Sequence, residues 1–331
     1  MDKISLVTGG AGFIGSHVVG YLLSNGHKVV VLDDLSCGLK ENVHPEAILR
    51  IGTITDKGFV NQLFEEFNFD YVYHLAAYAA EGLSHFIRKF NYENNLIGSV
   101  NLINAAVNYK VKCFVFTSSI AVYGTNDLPL IETQKPQPED PYGIAKYAVE
   151  MDLKAAHEMF ALDFIIFRPH NVYGPKQNIG DKYRNVVGIF MNRILQQQPL
   201  SIFGDGEQTR AFSYIDDVAP YIAESVNNAD ALNHVFNVGS NDFYTVNELA
   251  EAVSLSMGVE PNILKLPKRE EVVHAYADHN KFEEVFNPRK AISLQNGLAK
   301  MVAWVKDDGA QQGTTFNNIE INKNLPKFWR Q

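Results

Sequence analysis

The sequence has few cysteines, no long apolar run and no cluster of basic residues. It contains two cysteines in 331 residues, Cys37 and Cys113, which excludes a disulfide scaffold and a cysteine-rich zinc module. The net charge is −9 and no block of like charge occurs, so we expect neither a nucleic-acid partner nor binding to anionic membranes. No run approaches the roughly 18 apolar residues of a membrane span, and a strand pattern starts at residue 4, which leaves no room for a signal peptide. These absences predict a cytoplasmic enzyme or binding protein.

Histidine is more frequent, but the spacing that is typical of a metal site is missing. None of the ten histidines belongs to an H-E-x-x-H stretch or another tight ligand spacing. His17, His74 and His170 lie within fold motifs, where packing and hydrogen bonding are the expected roles. The sequence therefore predicts no metal ion.

Short apolar runs alternate with helical patterns through the first half of the chain. Several runs, among them VVVLD and CFVF, are apolar without interruption, as is typical of parallel strands that are covered on both faces. The predicted strands are Ile4–Thr8, Lys28–Asp33, Ile48–Ile51, Tyr71–Leu75, Lys112–Thr117 and Phe164–Arg168. Strands that alternate with helices indicate right-handed βαβ units, so we expect an α/β fold with a Rossmann-type, doubly wound parallel sheet.

The pattern changes beyond about Pro169, where prolines, glycines and asparagines cluster. Because single cores stop growing near 250–300 residues, a chain of this length favours two lobes. We assign residues 1–168 to the first lobe and 169–331 to a smaller α/β lobe for the substrate, with 212–238 returning to the first lobe. The tail after Gly309 is polar, and we expect it to lie on the surface without a core of its own.

The stretch TGGAGFIGSH, residues 8–17, follows the first predicted strand and opens a helix. Gly9 suits a tight turn, Gly12 allows the backbone to approach a pyrophosphate, and Gly15 allows close packing of helix on strand. The next strand ends in VVVLDD, which places Asp33 where a carboxylate can bind an adenosine ribose and repel a 2′-phosphate. A purely structural turn is the alternative, but the acidic partner favours a bound dinucleotide, NAD rather than NADP.

Two further stretches, FTSSIAVYG (116–124) and PYGIAKYAVE (141–150), add reactive groups. Tyr142 and Lys146 are four residues apart and share a helix face with about 6 Å of rise between them. A nearby ammonium lowers the pKa of a phenol, so Tyr142 could take a proton from a substrate hydroxyl to which Ser119 also bonds. A Tyr-x-x-x-Lys pair alone is common on protein surfaces. Its position after the fifth strand and a serine pair favours catalysis here.

Six stretches together resemble the extended short-chain dehydrogenase/reductase family. They are TGGAGFIGSH, HLAA (74–77), SSIAVYG, YGIAK, RPHNVYGP (168–175) and GDGEQTRAFSYIDD (204–217). The resemblance spans nearly the whole chain and is greatest to the family's nucleotide-sugar epimerase branch, typified by UDP-glucose 4-epimerase.

The resemblance implies a role for each matching residue. The catalytic residues would be Ser119, Tyr142 and Lys146. The NAD site would comprise Gly9, Gly12, Phe13, Ile14, Gly15, Asp33, Asp34, Ser36, Gly38, Leu75, Ala76, Ala77, Asn94 or Asn95, Tyr142, Lys146 and Pro169. The UDP-sugar site would comprise Ser119, Asn171, Asn185, Phe203, Arg210 and Arg269. The two arginines suit a diphosphate because guanidinium groups bind such oxygens in pairs.

The sequence departs from the family's pattern at two cofactor positions. Thr53 stands where an acidic residue usually contacts the adenine, and we expect Asp56, three residues on, to cap a helix instead. Ala79 stands where the typical 4-epimerase has a lysine near the nicotinamide. Thr53 calls the usual contact with the adenine into question, whereas the missing lysine at position 79 narrows the choice of subfamily and does not argue against the activity.

The residues after Ser119 separate the possible reactions. The family's dehydratases and decarboxylases carry acidic residues there, whereas this chain has Ile120 and Ala121, which cannot transfer a proton. The resemblance therefore implies a 4-epimerase that oxidises C4 of the sugar transiently and keeps its NAD. The alternatives are a net NAD-dependent oxidoreductase on a nucleotide sugar and a non-catalytic NAD-binding protein.

Substrate size and oligomeric state follow from weaker signals. By alignment from Asp278, Ala275 stands at the position that gates the N-acetyl group, and a residue this small would leave room for the N-acetyl forms as well as for UDP-glucose and UDP-galactose. A hexuronic acid sugar is a further alternative. The stripe Leu96, Val100, Ile103 and Val107 could form part of a homodimer interface, which is common in the family, or a buried face within one subunit.

Overall fold

The computed structural model describes residues 3–268, 272–313 and 316–329. Its strands are β1 Ile4–Thr8, β2 Lys28–Asp33, β3 Ile48–Ile51, β4 Tyr71–His74, β5 Cys113–Thr117, β6 Asp163–Pro169, β7 Val172–Tyr173, β8 Leu200–Phe203, β9 Thr209–Ala211, β10 Ser213–Tyr214, β11 His234–Val238, β12 Phe243–Thr245, β13 Ile263–Leu266 and β14 His274–Ala275. Its α-helices are α1 Phe13–Ser24, α2 Lys57–Phe67, α3 Glu81–Ser84, α4 Arg88–Tyr92, α5 Gly98–Asn108, α6 Pro141–Phe160, α7 Val186–Leu195, α8 Ala219–Glu224, α9 Val246–Met257, α10 Asn280–Phe286 and α11 Leu294–Asp308.

Seven parallel strands form the central sheet, in the order β11-β6-β5-β4-β1-β2-β3. The strand order reverses between β1 and β4, and open α/β sheets bind ligands beyond the carboxyl ends of the strands at such a point. The predicted Rossmann-type sheet is confirmed, and the six predicted strands are found with their ends shifted by one residue at most.

The uninterrupted apolar runs are explained by the two cores that the sheet separates. Successive side chains of a strand point to opposite faces, so both faces need apolar residues when helices cover both. Leu6 and Val30 lie in the core on one face, together with Phe114, whereas Val7 and Val31 lie in the core on the other.

The described part of the chain after β6 forms three smaller sheets and also returns to the central sheet. Strands β8 and β13 pair, as do β9, β12 and β14, while α7, α9 and α11 contribute to one shared apolar core. Within the stretch 212–238, β11 pairs with β6 at the sheet edge and α8 packs on α1. The division into lobes at residues 168 and 169 stays a prediction.

The tail differs from expectation because it contributes to a small core. Leu325 and Trp329 are buried with Leu83 and Ile87 of the segment after β4, and Phe316 packs against them. The polar composition of the tail predicts no core, and Leu83 and Ile87, which these apolar side chains contact, lie more than 200 positions earlier in the chain.

No helix in the described ranges is both long and apolar enough to cross a membrane. The cytoplasmic location stays a prediction.

Candidate active site

The turn after β1 is so tight that two of its residues must be glycine. Gly9 has a φ of +72°, and a Cβ added there would lie 2.7 Å from the backbone nitrogen of Ala76. A Cβ on Gly15 would overlap the carbonyl oxygen of Gly9. Gly12 directly precedes α1 and offers no side-chain cap, so the first backbone N–H groups of the helix lack a side-chain acceptor. This helix start suits the phosphates of a dinucleotide.

Asp33, the last residue of β2, is joined to this turn by hydrogen bonds. Its Oδ2 accepts from the backbone nitrogen of Ala11 at 2.9 Å and its Oδ1 accepts from that of Leu35 at 2.9 Å. Burial raises the pKa of Asp33. A carboxylate has about four acceptor positions, so Asp33 can support the turn and still bind a ribose hydroxyl.

A cavity of about 980 Å³ lies at the carboxyl edge of the sheet and collects most of the predicted site residues. Fifteen of them line it: Gly9, Gly12, Phe13, Ile14, Gly15, Leu75, Ala77, Ser119, Tyr142, Lys146, Pro169, Asn171, Asn185, Phe203 and Arg210. The glycine turn and the Ser–Tyr–Lys triplet, 100 or more positions apart in sequence, therefore face one space.

Six other predicted cofactor residues are not among those lining the cavity: Asp33, Asp34, Ser36, Gly38, Ala76 and Asn94. Asp34 is exposed and its Oδ1 accepts from the backbone nitrogen of Ser36. The alternative to Asn94, Asn95, is buried and its amide bonds to both backbone groups of Tyr78. Asn95 thus fixes the segment after β4. Arg269 lies outside the described residues.

The three predicted catalytic residues come from two neighbouring elements. Ser119 follows β5, its Oγ accepts from the backbone nitrogen of Ala121 at 3.1 Å, and its hydroxyl lies near enough to Tyr142 to lower the pKa of that phenol. Tyr142 lies in the first turn of α6 and Lys146 one turn later. The Lys146 Nζ donates to the carbonyl oxygen of Thr117 at 2.8 Å and lies 5.8 Å from the centre of the Tyr142 ring.

The protonation of this triplet differs from the expectation that Lys146 brings the pKa of Tyr142 toward neutrality. Burial raises the pKa of Tyr142 above its usual value and the charge of Glu81 raises it further, whereas the nearby hydroxyl of Ser119 lowers it. Burial also lowers the pKa of Lys146 to about 7, against the opposing charge of Glu150. In the chain alone, desolvation therefore outweighs the attraction between the two groups.

A buried ion pair lies directly behind the triplet. The guanidinium of Arg168, on β6, donates to both carboxylate oxygens of Glu150, on α6, at 2.9 and 2.5 Å. The Glu150 Oε1 also accepts from the hydroxyl of Ser118 at 2.5 Å, and both charged side chains are 2% exposed or less. This network joins α6 to the ends of β5 and β6, so it fixes the helix that carries Tyr142.

Arg210, on β9, also lines the cavity. Its guanidinium donates to the carbonyl oxygens of Val272 and Val273, which hold it between β9 and the segment before β14. The segment that contacts Arg210 begins three positions after Arg269. Of the two arginines predicted to bind the diphosphate, the structure therefore describes only Arg210.

The other three predicted substrate residues begin or end local elements beside the cavity. Asn171 follows β6 and its Nδ2 donates to the carbonyl oxygen of Ala211 at 3.0 Å. Asn185 directly precedes α7 with a φ of +62°, and Phe203 ends β8. All three line the cavity, so the structure brings them to the same space as Tyr142.

The structure places three further positions that the comparison with the family singled out. Asp56 caps α2, with its Oδ1 accepting from the backbone nitrogen of Phe59 at 3.0 Å, as predicted. Ala79 lines the cavity. Ala275 packs with Ile120 in an apolar cluster and is not among the lining residues, so its small size does not enlarge this cavity.

Sequence reasoning missed several groups beside the triplet. Glu81, Arg184 and Trp329 all line the cavity. Arg184 bonds to Asp181 and lies 4.9 Å above the ring of Tyr78. Asp181 and Arg184 are three residues apart in the stretch GDKYRN (180–185), a spacing that the sequence could have shown. Trp329 could have been singled out because it is one of only two tryptophans in the chain.

The fold and the cavity together define a dinucleotide-binding protein with the reactive groups of a short-chain dehydrogenase/reductase. Residues 5–239 match the NAD dependent epimerase/dehydratase family, and the chain belongs to that family.

Similar proteins agree with this assignment. A putative UDP-glucose 4-epimerase of Methanocaldococcus jannaschii is 35% identical over 309 residues, which cover 92% of this chain and 98% of the relative. The structure of UDP-glucose 4-epimerase with UDP-glucose from Thermotoga maritima has a TM-score of 0.88 and is 35% identical, covering 92% of this chain and 99% of that one. The UDP-glucose 4-epimerase of Thermus thermophilus in complex with NAD has a TM-score of 0.86 and is 33% identical, covering 91% and 98%.

Proposed function

We propose that this protein is a UDP-sugar 4-epimerase that retains NAD throughout the reaction. One observation carries the proposal: Ser119, Tyr142 and Lys146 line the same cavity as the glycine turn. The residues that follow Ser119 are Ile120 and Ala121, which supply no proton donor or acceptor for an elimination. The similarity to two UDP-glucose 4-epimerases of known structure, over more than nine-tenths of the chain, supports it.

Residues that line the cavity or lie beside it fit the cofactor. The first turn of α1 offers backbone N–H groups to a pyrophosphate, and Asp33 at the end of β2 offers a carboxylate to the adenosine ribose. NAD supplies, when bound, a hydride acceptor that gives the hydride back within one turnover. An oxidoreductase that released NADH would instead need a second substrate to restore it.

Tyr142 moves the proton in this proposal. As the phenolate, Tyr142 takes the proton from the 4-hydroxyl of the sugar while C4 is oxidised, and it returns that proton when C4 is reduced. Ser119, whose hydroxyl lies near that of Tyr142, would hold the reacting oxygen of the sugar close to the tyrosine. The charge of Lys146 stabilises the phenolate, although burial opposes both charges. Arg210 would bind the diphosphate.

The test is the interconversion of UDP-glucose and UDP-galactose by the purified protein, followed by separation of the epimers. The N-acetyl forms and UDP-glucuronic acid belong in the same panel. We expect epimers to form without a sustained rise in absorbance at 340 nm. A steady rise would instead identify a net oxidoreductase, and no reaction with bound NAD would identify a binding protein.

The Tyr142→Phe variant tests the assigned role. Removing one hydroxyl should lower kcat by about 10³-fold, because positioned acid–base groups contribute about 10²–10⁴-fold. Bound NAD, measured after denaturation, should remain as in the wild type. Tyr147→Phe is the matched control on the same helix, and it should retain activity. Near-normal turnover of Tyr142→Phe would remove Tyr142 from the mechanism.

We also propose that the protein is a homodimer that pairs through α5 and α6. Ile144, Met151 and Phe160 of α6 are 40%, 55% and 62% exposed, and a groove of about 340 Å³ lies between the two helices. Of the stripe on α5, Ile103 is buried within the subunit, so the exposed residues of α6 carry this proposal. Light scattering should show a dimer that Met151→Glu weakens, whereas Leu255→Glu, at an exposed position on α9, should leave it intact. A monomeric wild type would contradict the proposal.

A further inference from the structure

The end of the described chain crosses the segment that follows β4. We call residues 316–329 the C-terminal strap. The carboxylate of Glu320 accepts from the backbone nitrogens of Lys89 and Phe90 at 2.8 and 2.9 Å, and the backbone nitrogen of Glu320 donates to the carbonyl oxygen of Phe86 at 2.8 Å. Leu325 of the strap is itself buried, in a cluster with Leu83 and Ile87. Polar and apolar contacts together fix its position.

Trp329 lies at the end of this strap and reaches the cavity. Its side chain is buried, with 5% of the residue exposed, and its ring meets that of Tyr183 at 5.4 Å in an edge-to-face arrangement. A Cβ added to Gly82 would lie 3.1 Å from the Cη2 atom of Trp329. Trp329, Tyr183 and Gly82 all line the cavity.

The short helix on which Trp329 packs also contacts the start of the helix that carries Tyr142. Gly82 belongs to α3, and Ser84 of the same helix accepts from the backbone nitrogen of Tyr142 at 3.3 Å. The Ser84 hydroxyl donates in turn to Asp140, which caps the helix of Tyr142. The tryptophan therefore packs on the short helix whose other contacts support the reacting tyrosine.

We propose that Trp329 forms one wall of the subsite for the sugar ring and limits which sugars fit there. The inference rests on the proposed function, because it requires C4 of the sugar to lie beside Tyr142. An indole ring presents a flat apolar surface that suits the C–H face of a hexose and does not adapt to an added substituent. The strap holds this ring in place, so the wall is rigid.

Fluorescence tests the contact without altering Trp329. The chain has two tryptophans, and Trp304 is half-buried on α11, away from the cavity lining. In the NAD-bound Trp304→Phe variant, Trp329 is the only remaining tryptophan. UDP-glucose should change its emission, whereas UDP, which lacks the hexose, should produce a clearly smaller change. Equal changes with both ligands, or none, would overturn the inference.

Kinetics of Trp329→Ala and Trp329→Phe test the selection of sugars. For Trp329→Ala we expect the KM for UDP-glucose to rise about tenfold, a loss of about 1.4 kcal/mol, with kcat within about threefold. The ratio of kcat/KM for UDP-N-acetylglucosamine over UDP-glucose should rise about tenfold, and Trp329→Phe should restore most of the wild-type ratio. A ratio unchanged in Trp329→Ala, in a protein that epimerises normally, would overturn this inference alone. A wild type that epimerises none of the sugars would overturn the proposed function and the inference with it.

Discussion

The buried ion pair between Glu150 and Arg168 makes a large loss of stability measurable with one substitution. In Glu150→Gln the side chain keeps its shape and can still accept from Ser118, but the guanidinium of Arg168 loses its counter-charge. Both charged side chains are 2% exposed or less, so water cannot replace the lost partner. Removing one member of such a pair costs about 3–5 kcal/mol.

The expected change in melting temperature follows from the length of the chain. At about 2.1 cal/mol/K per residue, 331 residues have an unfolding entropy of about 0.7 kcal/mol/K near 60 °C. The loss from Glu150→Gln should therefore lower the melting temperature by about 4–7 °C, as measured by circular dichroism on the NAD-bound protein.

The matched control is an ion pair of similar length on the surface. Glu66 and Arg50 approach to 2.6 Å, but their side chains are 47% and 36% exposed. Glu66→Gln should change stability by less than about 1 kcal/mol and the melting temperature by about 1 °C. Adding Arg168→Met to Glu150→Gln should recover part of the lost stability, because no unpaired buried charge remains. A Glu150→Gln variant that melts within 1 °C of the Glu66→Gln control would refute the reasoning.

Three further predictions concern pH, the glycine turn and the lysine. Burial lowers the pKa of His170 to about 4 and also lowers that of His279, whose Nε2 lies 3.0 Å away. Both bind a proton more readily in the unfolded chain, so the free energy of unfolding, measured in urea, should be highest above pH 6.5. It should fall by about 3 kcal/mol or less per histidine toward pH 4, and a His279→Gln variant with an equally steep decline would contradict this. Gly9→Ala should abolish retention of NAD or folding, whereas Gly20→Ala, where a Cβ meets no atom within 4 Å, should bind NAD normally; equal NAD content in both would refute the tight-turn argument. Lys146→Met should lower kcat by about 100-fold or more with NAD still bound, and a turnover within tenfold of the wild type would exclude the assigned role.

The features that could be predicted from sequence depend on contacts between near neighbours or on regular repeats. The central strands were predictable because uninterrupted apolar runs are needed where both faces of a sheet are covered. The glycine turn was predictable because its three glycines lie close together in the sequence, directly after a strand. The pair Tyr142 and Lys146 was predictable because residues four apart share one face of a helix.

A prediction from local sequence fails where a residue far away in the chain binds the side chain in question. The position of Asp216 and Asp217, just before the apolar stretch 218–226, favours a role as caps of the helix that follows. Instead, the Oδ2 of Asp217 accepts from the backbone nitrogen of Ile292 at 2.9 Å, and α8 begins without a side-chain cap. The carboxylate had two possible acceptor roles, and only the packing of α11 and its preceding loop against this turn selected one.

The sequence by itself determined the α/β class, the position of the dinucleotide turn and the identity of the reactive triplet. Only the tertiary structure decided what surrounds Tyr142: the burial that raises its pKa, the charge of Glu81, and the wall formed by Trp329 from the far end of the chain. The physical reason is that desolvation and long-range packing depend on every element that covers a group. A local pattern identifies the group itself but not the elements that enclose it.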